Sequence, residues 1–306
     1  MADAHVSTGS LDAWSRRRFL QSIAATAVVG AAAACSSRDE ADSAGVSASV
    51  DAKAAPSASD HAESHAGVEH APPTELPGGS ETILLLLYPG FTQIDVIGPH
   101  YALACMSGAK VQLIAKSLSP VETESGFSIT PQLDFASCPS KPDLLLVPGG
   151  MVGTLAAIED RETLEFVRDV GRRSAMVGSV CTGSLLLGAA GLLEGYEATS
   201  HWQTLELLAL VGARPSRDRI VFDRDRVTAA GVTAGIDLGM ELVRRYRGDF
   251  YARGVQLLGQ YDPHPPFAGG GNPESADPAV VAMLTQMHAP FVAQSAKVLR
   301  TALGKA

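Results

Sequence analysis

One cysteine of this sequence stands where a thiol could act as a nucleophile. Cys181 follows the apolar run 175–180, which predicts a strand, and precedes residues 182–191, which predict a helix. A thiol at a helix N-terminus lies near the positive end of the helix dipole and near free main-chain N–H groups, so we expect a lowered pKa and more thiolate. The spacing predicts covalent catalysis by Cys181 at a strand-to-helix turn.

The same local sequence also fits a role in packing alone. A buried cysteine packs like a small apolar residue, and Thr182 is a common residue type at a helix N-cap. The residues around Cys181 therefore leave both interpretations open, and the position of the turn in the whole domain must decide between them.

Apolar runs of strand length alternate with helical patterns along the chain. The predicted strands are residues 83–87, 111–115, 143–147 and 175–180, with hairpins at 121–130 and 220–228. The predicted helices are residues 95–106, 161–172, 182–191, 233–245 and 278–303, with a further helix starting near His201. This alternation predicts an α/β domain with a parallel sheet covered on both faces.

Three groups of candidate residues follow predicted strands directly. They are residues 89–95, the turn formed by Pro148, Gly149 and Gly150, and the pair Cys181–Thr182. In parallel α/β sheets the active site lies at the carboxyl ends of the strands. The three groups should therefore meet at one edge of the sheet, which favours the nucleophile interpretation.

Composition limits the classes of function. The 306 residues are 46% hydrophobic and carry a net charge of −9, which argues against nucleic acid as a partner. The cysteines are Cys35, Cys105, Cys138 and Cys181, without a CxxC pair, so no structural metal site is predicted.

The first 35 residues have the order of an export signal. Arg16, Arg17 and Arg18 precede the apolar stretch 23–34, which is too short to span a bilayer as a helix. The segment resembles a twin-arginine (Tat) signal. Three alanines precede Cys35 and resemble a lipobox, in which the cysteine is lipidated; cleavage near Ala34 is the alternative. We expect a location in the periplasm or on the outer face of the cytoplasmic membrane, with a lipid at Cys35 as the membrane contact.

The remaining chain divides by composition into a linker, a domain and an extension. Residues 36–80 are poor in large apolar residues and predict a disordered linker. Its His61, His65 and nearby carboxylates could bind a cation loosely, although we favour a solvated polar linker because nothing rigid holds their geometry. Residues 81–268 form the predicted domain, and residues 269–306 a C-terminal extension with one helix. After export a disulfide between Cys105 and Cys138 is conceivable.

Five blocks of the domain form a recognisable pattern: residues 91–99, 147–150, 177–184, 188–193 and 198–202. Together they resemble the ThiJ/PfpI superfamily, and within it the isonitrile hydratase branch. The resemblance implies a flavodoxin-like three-layer sandwich with a mostly parallel sheet, usually a homodimer, with Cys181 on a nucleophile elbow. Asp95 stands where much of the superfamily has Glu, and Thr182 stands where many relatives have His. His201 matches a histidine that some relatives place near the nucleophile.

The branch implies hydration of an isocyanide to an N-substituted formamide, without a metal or organic cofactor. Cys181 would add to the isocyanide carbon, Asp95 would transfer the proton, and Thr182 would orient the water or Asp95. Main-chain amides at Gly150 and Thr182 would hold developing negative charge. Together with Gly149, the side chains of His201 and Trp202 complete the predicted substrate-binding set.

Each assignment has a structural alternative. Asp95 fits an N-cap of the helix that follows it, His201 fits a surface residue at a helix start, and Trp202 fits a core or pocket-wall aromatic. The alternative functions are a glyoxalase, deglycase or hydrolase of the same superfamily, and an envelope-tethered binding or sensor protein without turnover. Glyoxalases and their relatives commonly have Glu and His where this chain has Asp95 and Thr182.

Overall fold

The computed structural model describes residues 76–305, which include the whole predicted domain. The predicted signal 1–35, the lipidation candidate Cys35 and most of the predicted linker lie outside the described residues. Among the described helices, none combines the length and apolar character needed to cross a membrane.

A seven-stranded sheet forms the centre of the domain. Its order is β10-β11-β7-β6-β1-β2-β5, and every neighbouring pair is parallel except β10 with β11. The strands of this sheet are β1 (Thr82–Leu86), β2 (Lys110–Ala115), β5 (Leu133–Asp134), β6 (Leu144–Val147), β7 (Met176–Val180), β10 (Ile220–Asp223) and β11 (Arg226–Ala229). Two small pairs lie outside it: β3 (Val121–Glu122) with β4 (Ser128–Ile129), and β8 (Glu197–Ala198) with β9 (Arg214–Pro215).

The central strands are buried on both faces because they carry continuous apolar runs. The consecutive residues Ile83, Leu84 and Leu85 are each at most 1% exposed, although successive side chains point to opposite faces of the sheet. Such runs are typical of parallel strands with helices on both sides.

Two groups of helices flank the sheet. One contains α1 (Gln93–Ala104), α5 (Ala234–Arg247) and α6 (Asp249–Leu258); the other contains α2 (Val152–Glu159), α3 (Arg161–Arg173), α4 (Gly183–Ala189) and α7 (Pro278–Ala302). This arrangement confirms the predicted mostly parallel, flavodoxin-like α/β fold.

The C-terminal extension contributes α7, as the sequence predicts. Asp277 caps this helix by accepting a hydrogen bond from the N–H of Ala279 at 2.8 Å, and Pro278 occupies the first turn. The helix buries Phe291, Ser295 and Leu299, which recur at helical spacing, and it packs against α2. The extension is therefore part of the wall of the domain.

The predicted helix near His201 is wrong. Residues 201–204 form a turn, followed by a 3-10 helix at Leu205–Val211. Thr204 donates to the Ser200 hydroxyl at 2.9 Å, and its Oγ1 also lies 3.1 Å from the His201 carbonyl oxygen. Such side-chain bonds compete with the helical pattern. The sequence prediction also missed α2 and α6.

Candidate active site

Cys181 lies on a strained turn between β7 and α4. Its φ angle is 58°, a left-handed value that is uncommon for a residue with a side chain. The N–H of Cys181 donates to Ala229 O at 3.0 Å, which fixes the turn to β11. Gly183 permits the close approach, because a Cβ there would lie 2.3 Å from Val147 O. This geometry is the nucleophile elbow that the resemblance implied.

Two serines that the sequence patterns did not single out stabilise the turn at Cys181. The hydroxyl groups of Ser184 and Ser200 donate to the carbonyl of Cys181 at 3.2 and 3.3 Å. Both side chains are buried. They stabilise the carbonyl of a residue whose backbone is strained, and Ser200 ties the turn at His201 to the same point.

Asp95 lies in the first turn of α1 and is 1% exposed. Its Oδ2 accepts a hydrogen bond from the N–H of Gly149 at 2.8 Å, while Oδ1 is buried without a hydrogen-bond partner among the described residues. Asp95 is therefore not the N-cap of α1, since the cap position is Thr92. The carboxyl group points instead to the neighbouring strand end after β6.

Burial makes Asp95 an acid that is protonated at neutral pH. Loss of solvation raises its pKa to about 8, against the lowering effect of the Gly149 hydrogen bond, and the Glu124 carboxylate adds to the rise. Because Oδ2 accepts an N–H, the proton belongs on Oδ1. The site thus contains a carboxylic acid whose O–H is free to donate.

The thiol of Cys181 is neutral as well. Burial raises its pKa well above the usual value, and the nearby Asp95 carboxyl adds to the effect. The N–H of Thr182 lowers the pKa by less. The expected lowering by the helix N-terminus is therefore wrong, because loss of solvation outweighs the local donors.

Gly149 and Gly150 connect the acid to Thr182. The N–H of Gly150 donates to Thr182 Oγ1 at 3.1 Å, as that of Gly149 does to Asp95. A Cβ at Gly149 would lie 2.7 Å from Thr182 N and 2.9 Å from Asp95 Oδ2. Both amides already have acceptors in the protein, whereas we expected them to face the substrate. They position Asp95 and Thr182.

His201 and Trp202 lie in the turn after β8. Burial lowers the pKa of His201 to about 4, with a smaller contribution from His288, so the imidazole is neutral at pH 7. Its Nδ1 accepts from the N–H of Gln203 at 3.4 Å, and its ring lies 5.9 Å from that of Trp202. Gln203 also donates to Leu284 O in α7. These contacts link the turn to the C-terminal helix, and the substrate contact remains a prediction.

Residues 76–305 contain no cluster of three or more His, Cys, Asp or Glu side chains placed to hold a metal ion. Cys105 and Cys138 are both free thiols in the structure, so the conceivable disulfide between them is not formed. The side chains of Cys181, Asp95 and Thr182 supply a thiol, a carboxylic acid and a hydroxyl group.

The fold and the site define a family. The sequence model of the DJ-1/PfpI family matches residues 81–245, and the chain belongs to this family. Isonitrile hydratase of Pseudomonas putida is 40% identical over 220 residues, which cover 72% of this chain and 95% of that protein. A crystal structure of a ThiJ/PfpI family protein from Pseudomonas syringae has 44% identity and a TM-score of 0.73, and the match covers 78% of this chain and 98% of that one.

Transcriptional regulators share part of the same domain. The HTH-type transcriptional regulator CdhR of Pseudomonas aeruginosa is 30% identical over 190 residues, which cover 60% of this chain and 55% of the regulator. The resemblance to isonitrile hydratase covers more of both chains, and it supports an enzyme with hydratase-like activity.

Proposed function

We propose that this protein is a cysteine-dependent isonitrile hydratase, a lyase that converts an isocyanide and water into an N-substituted formamide. The observation that carries the proposal is the buried Asp95 carboxyl, whose Oδ1 has no hydrogen-bond partner among the described residues, beside the buried thiol of Cys181. An isocyanide is uncharged and needs a proton at its terminal carbon, so a site without a fixed charge and with one free acid suits it. The 40% identity to an isonitrile hydratase supports the same substrate class.

The first step forms a thioimidate. Asp95 Oδ1 gives its proton to the isocyanide carbon as the sulfur of Cys181 forms a bond to that carbon, and the thiol proton passes to the Asp95 carboxylate. The product is R–N=CH–S–Cys, which contains all atoms of the isocyanide and the thiol. Asp95 ends the step protonated again, so no separated charge remains in the buried site.

The second step releases the formamide. Water adds to the thioimidate carbon with Thr182 Oγ1 as an orienting group, and the nitrogen takes a proton from Asp95. One proton of the water passes to the Asp95 carboxylate, which gives a carbinol R–NH–CH(OH)–S–Cys. The C–S bond then breaks, the remaining hydroxyl proton of the carbinol passes to the sulfur, and R–NH–CHO leaves. Acid and thiol are both regenerated.

The direct test is formation of formamide from cyclohexyl isocyanide by the purified full chain. We expect turnover by the natural sequence and its loss in Cys181→Ala, with Cys138→Ala as the matched control that retains it. Absence of cysteine-dependent formamide would contradict the proposal. Hydrolysis of glyoxal-type adducts or of esters by the same preparation would favour a deglycase or hydrolase. Binding of a ligand without formation of any product would favour a sensor.

We also propose that the enzyme is exported and forms a homodimer. The signal-like residues 1–35 support Tat export with lipidation of Cys35, which cell fractionation and mass spectrometry of the mature N-terminus test. Ile94, Ile97 and Tyr101 expose 41–47% of their surface on one side of α1. Tyr101 lies beside Gly259, and Leu257, two residues before that glycine, is 78% exposed. An apolar surface of this kind supports self-association, which sedimentation tests.

A further inference from the structure

Three buried hydroxyl groups form a line that leads from the Cys181 turn to a main-chain carbonyl. The Tyr88 hydroxyl lies 2.6 Å from Pro148 O and 3.0 Å from Thr154 Oγ1, and Thr154 Oγ1 lies 2.8 Å from Thr182 Oγ1. The three side chains are at most 3% exposed. Because they bond to one another away from solvent, the number of available protons sets the direction of each hydrogen bond.

Each hydroxyl has one proton to donate, and a carbonyl oxygen can only accept. Tyr88 therefore donates to Pro148 O, and since burial raises the pKa of Tyr88 well above its usual value, this proton stays in place. Thr154 then donates to Tyr88, because otherwise two oxygen atoms would face each other without a hydrogen between them. By the same reasoning Thr182 donates to Thr154.

The last hydroxyl of the line belongs to Thr182, the residue that follows Cys181 in the turn. One lone pair of Thr182 Oγ1 accepts the N–H of Gly150, and its proton points to Thr154. The second lone pair of Thr182 Oγ1 remains available to the reactants. We propose that Tyr88 and Thr154 are positioning residues that direct the Thr182 hydroxyl proton away from the Cys181 sulfur, so that Thr182 serves the reaction as a hydrogen-bond acceptor.

This arrangement has one consequence for the thiol and one for the water. A proton donated by the Thr182 hydroxyl would favour the thiolate of Cys181, and the line withholds that proton. Cys181 therefore stays a thiol until Asp95 and the substrate take part. In the hydration step, water donates to Thr182 Oγ1 and turns its own lone pair to the thioimidate. This second consequence rests on the proposed function.

Thr154→Val tests the proposal, since it keeps the shape of the side chain and removes the acceptor for Thr182. The freed hydroxyl proton then turns to the sulfur. We expect the pH midpoint for alkylation of Cys181 by iodoacetamide to fall by about one unit, which makes alkylation about tenfold faster below the midpoint. The rate is measured on the full chain by mass spectrometry across a range of pH.

Tyr88→Phe should shift the midpoint in the same direction, because Thr154 then donates to Thr182 and the Thr182 proton turns to the sulfur. Thr154→Ser keeps the hydroxyl and should leave the midpoint unchanged, with Cys105 and Cys138 as internal references for reagent strength. An unchanged midpoint in both the Val and the Phe variant would overturn the proposal. So would an equal change of rate at every pH, which reports access to the sulfur and not its ionisation.

The alkylation assay contains no isocyanide. A failure of the proposed hydratase activity therefore leaves its outcome unaffected, and a failure of the alkylation prediction leaves the hydratase activity standing. With turnover established, Thr154→Val should lower kcat for formamide release by about tenfold with little change in KM, since the line orients water and does not bind the substrate. Thr154→Ser should restore kcat.

Discussion

Asp95 and Asp223 each accept a hydrogen bond from a main-chain N–H, but the pKa of Asp95 lies above neutral pH and that of Asp223 lies well below it. Asp95 accepts the N–H of Gly149 and Asp223 that of Glu197, both at 2.8 Å. Burial raises the pKa of Asp95 to about 8, whereas the guanidinium of Arg224 and that main-chain hydrogen bond lower the pKa of Asp223 to about 2. One carboxyl is an acid at neutral pH and the other is an anion.

The difference teaches that a single hydrogen bond does not set the state of a carboxyl group. At Asp223 the guanidinium groups of Arg214 and Arg224 compensate the charge near solvent. At Asp95 the neighbouring titratable groups are Glu124, which is acidic, and the thiol of Cys181, while Oδ1 has no partner among the described residues. The fold keeps this group neutral by surrounding it with apolar and uncharged atoms, and a neutral carboxyl can donate its proton.

The largest expected effect separates the two aspartates by turnover. Asp95→Asn removes the acid that protonates the isocyanide carbon in the mechanism, so kcat for formamide release should fall about a thousandfold. Asp223→Asn, at the surface pair of β8 and β10, should leave kcat within about twofold. Steady-state formamide release by both variants is the measurement. Near-normal turnover in Asp95→Asn would remove Asp95 from the reaction.

The same pair of variants should change stability in opposite directions. The pKa of Asp95 is about 8 in the folded protein, above its ordinary value of 3.8, so the folded state keeps a proton that the unfolded chain releases between these pH values. The protein therefore loses stability as pH rises through this window, by about 1.4 kcal/mol per pH unit. Asp95→Asn removes this loss and should raise the free energy of unfolding by a few kcal/mol at about pH 7.

For Asp223 the dependence of stability on pH has the opposite sign. Its folded pKa lies below the ordinary value, so its contribution to stability is present above about pH 4 and is lost as pH falls. Asp223→Asn should therefore lower the free energy of unfolding at neutral pH. Urea denaturation of both variants at several pH values compares them. If the gain in the free energy of unfolding from Asp95→Asn stays constant down to pH 4, ionisation of Asp95 is not the cause of that gain.

A smaller effect is expected from the glycine that supports the acid. In Gly149→Ala the new Cβ must displace Asp95 Oδ2 or Thr182, so kcat should fall about tenfold. Gly231→Ala is the matched control near His201, where a Cβ would meet only ordinary contacts at 3.8 Å. If both variants keep normal turnover, the close packing around Gly149 does not position the acid.

The fold could be predicted from the sequence because its central strands are continuous runs of apolar residues. Those runs place Asp95, Gly149 and Cys181 after three neighbouring strands, and parallel strands bring their carboxyl ends to one edge. The structure does unite these residues there. The helix predicted near His201 failed because Ser200 and Thr204 bond locally, a competition that hydrophobic periodicity does not report.

The electrostatics of the site could not be predicted in the same way. The local sequence of Cys181 indicates a helix N-terminus and thus a lowered pKa, whereas the depth of burial, a property of the whole fold, raises it. Thr154 carries no signal at all, since it lies in a helix that the sequence patterns did not predict and acts only through two hydroxyl groups from other elements.

The most direct test of a protonated Asp95 is the pH dependence of kcat/KM for formamide release from cyclohexyl isocyanide. A neutral acid at Asp95 with a pKa of about 8 predicts a constant value below that pH and a tenfold fall for each further pH unit above it. A value that instead rises with pH through the same range would assign the rate to a preformed thiolate, and would contradict catalysis by a protonated Asp95.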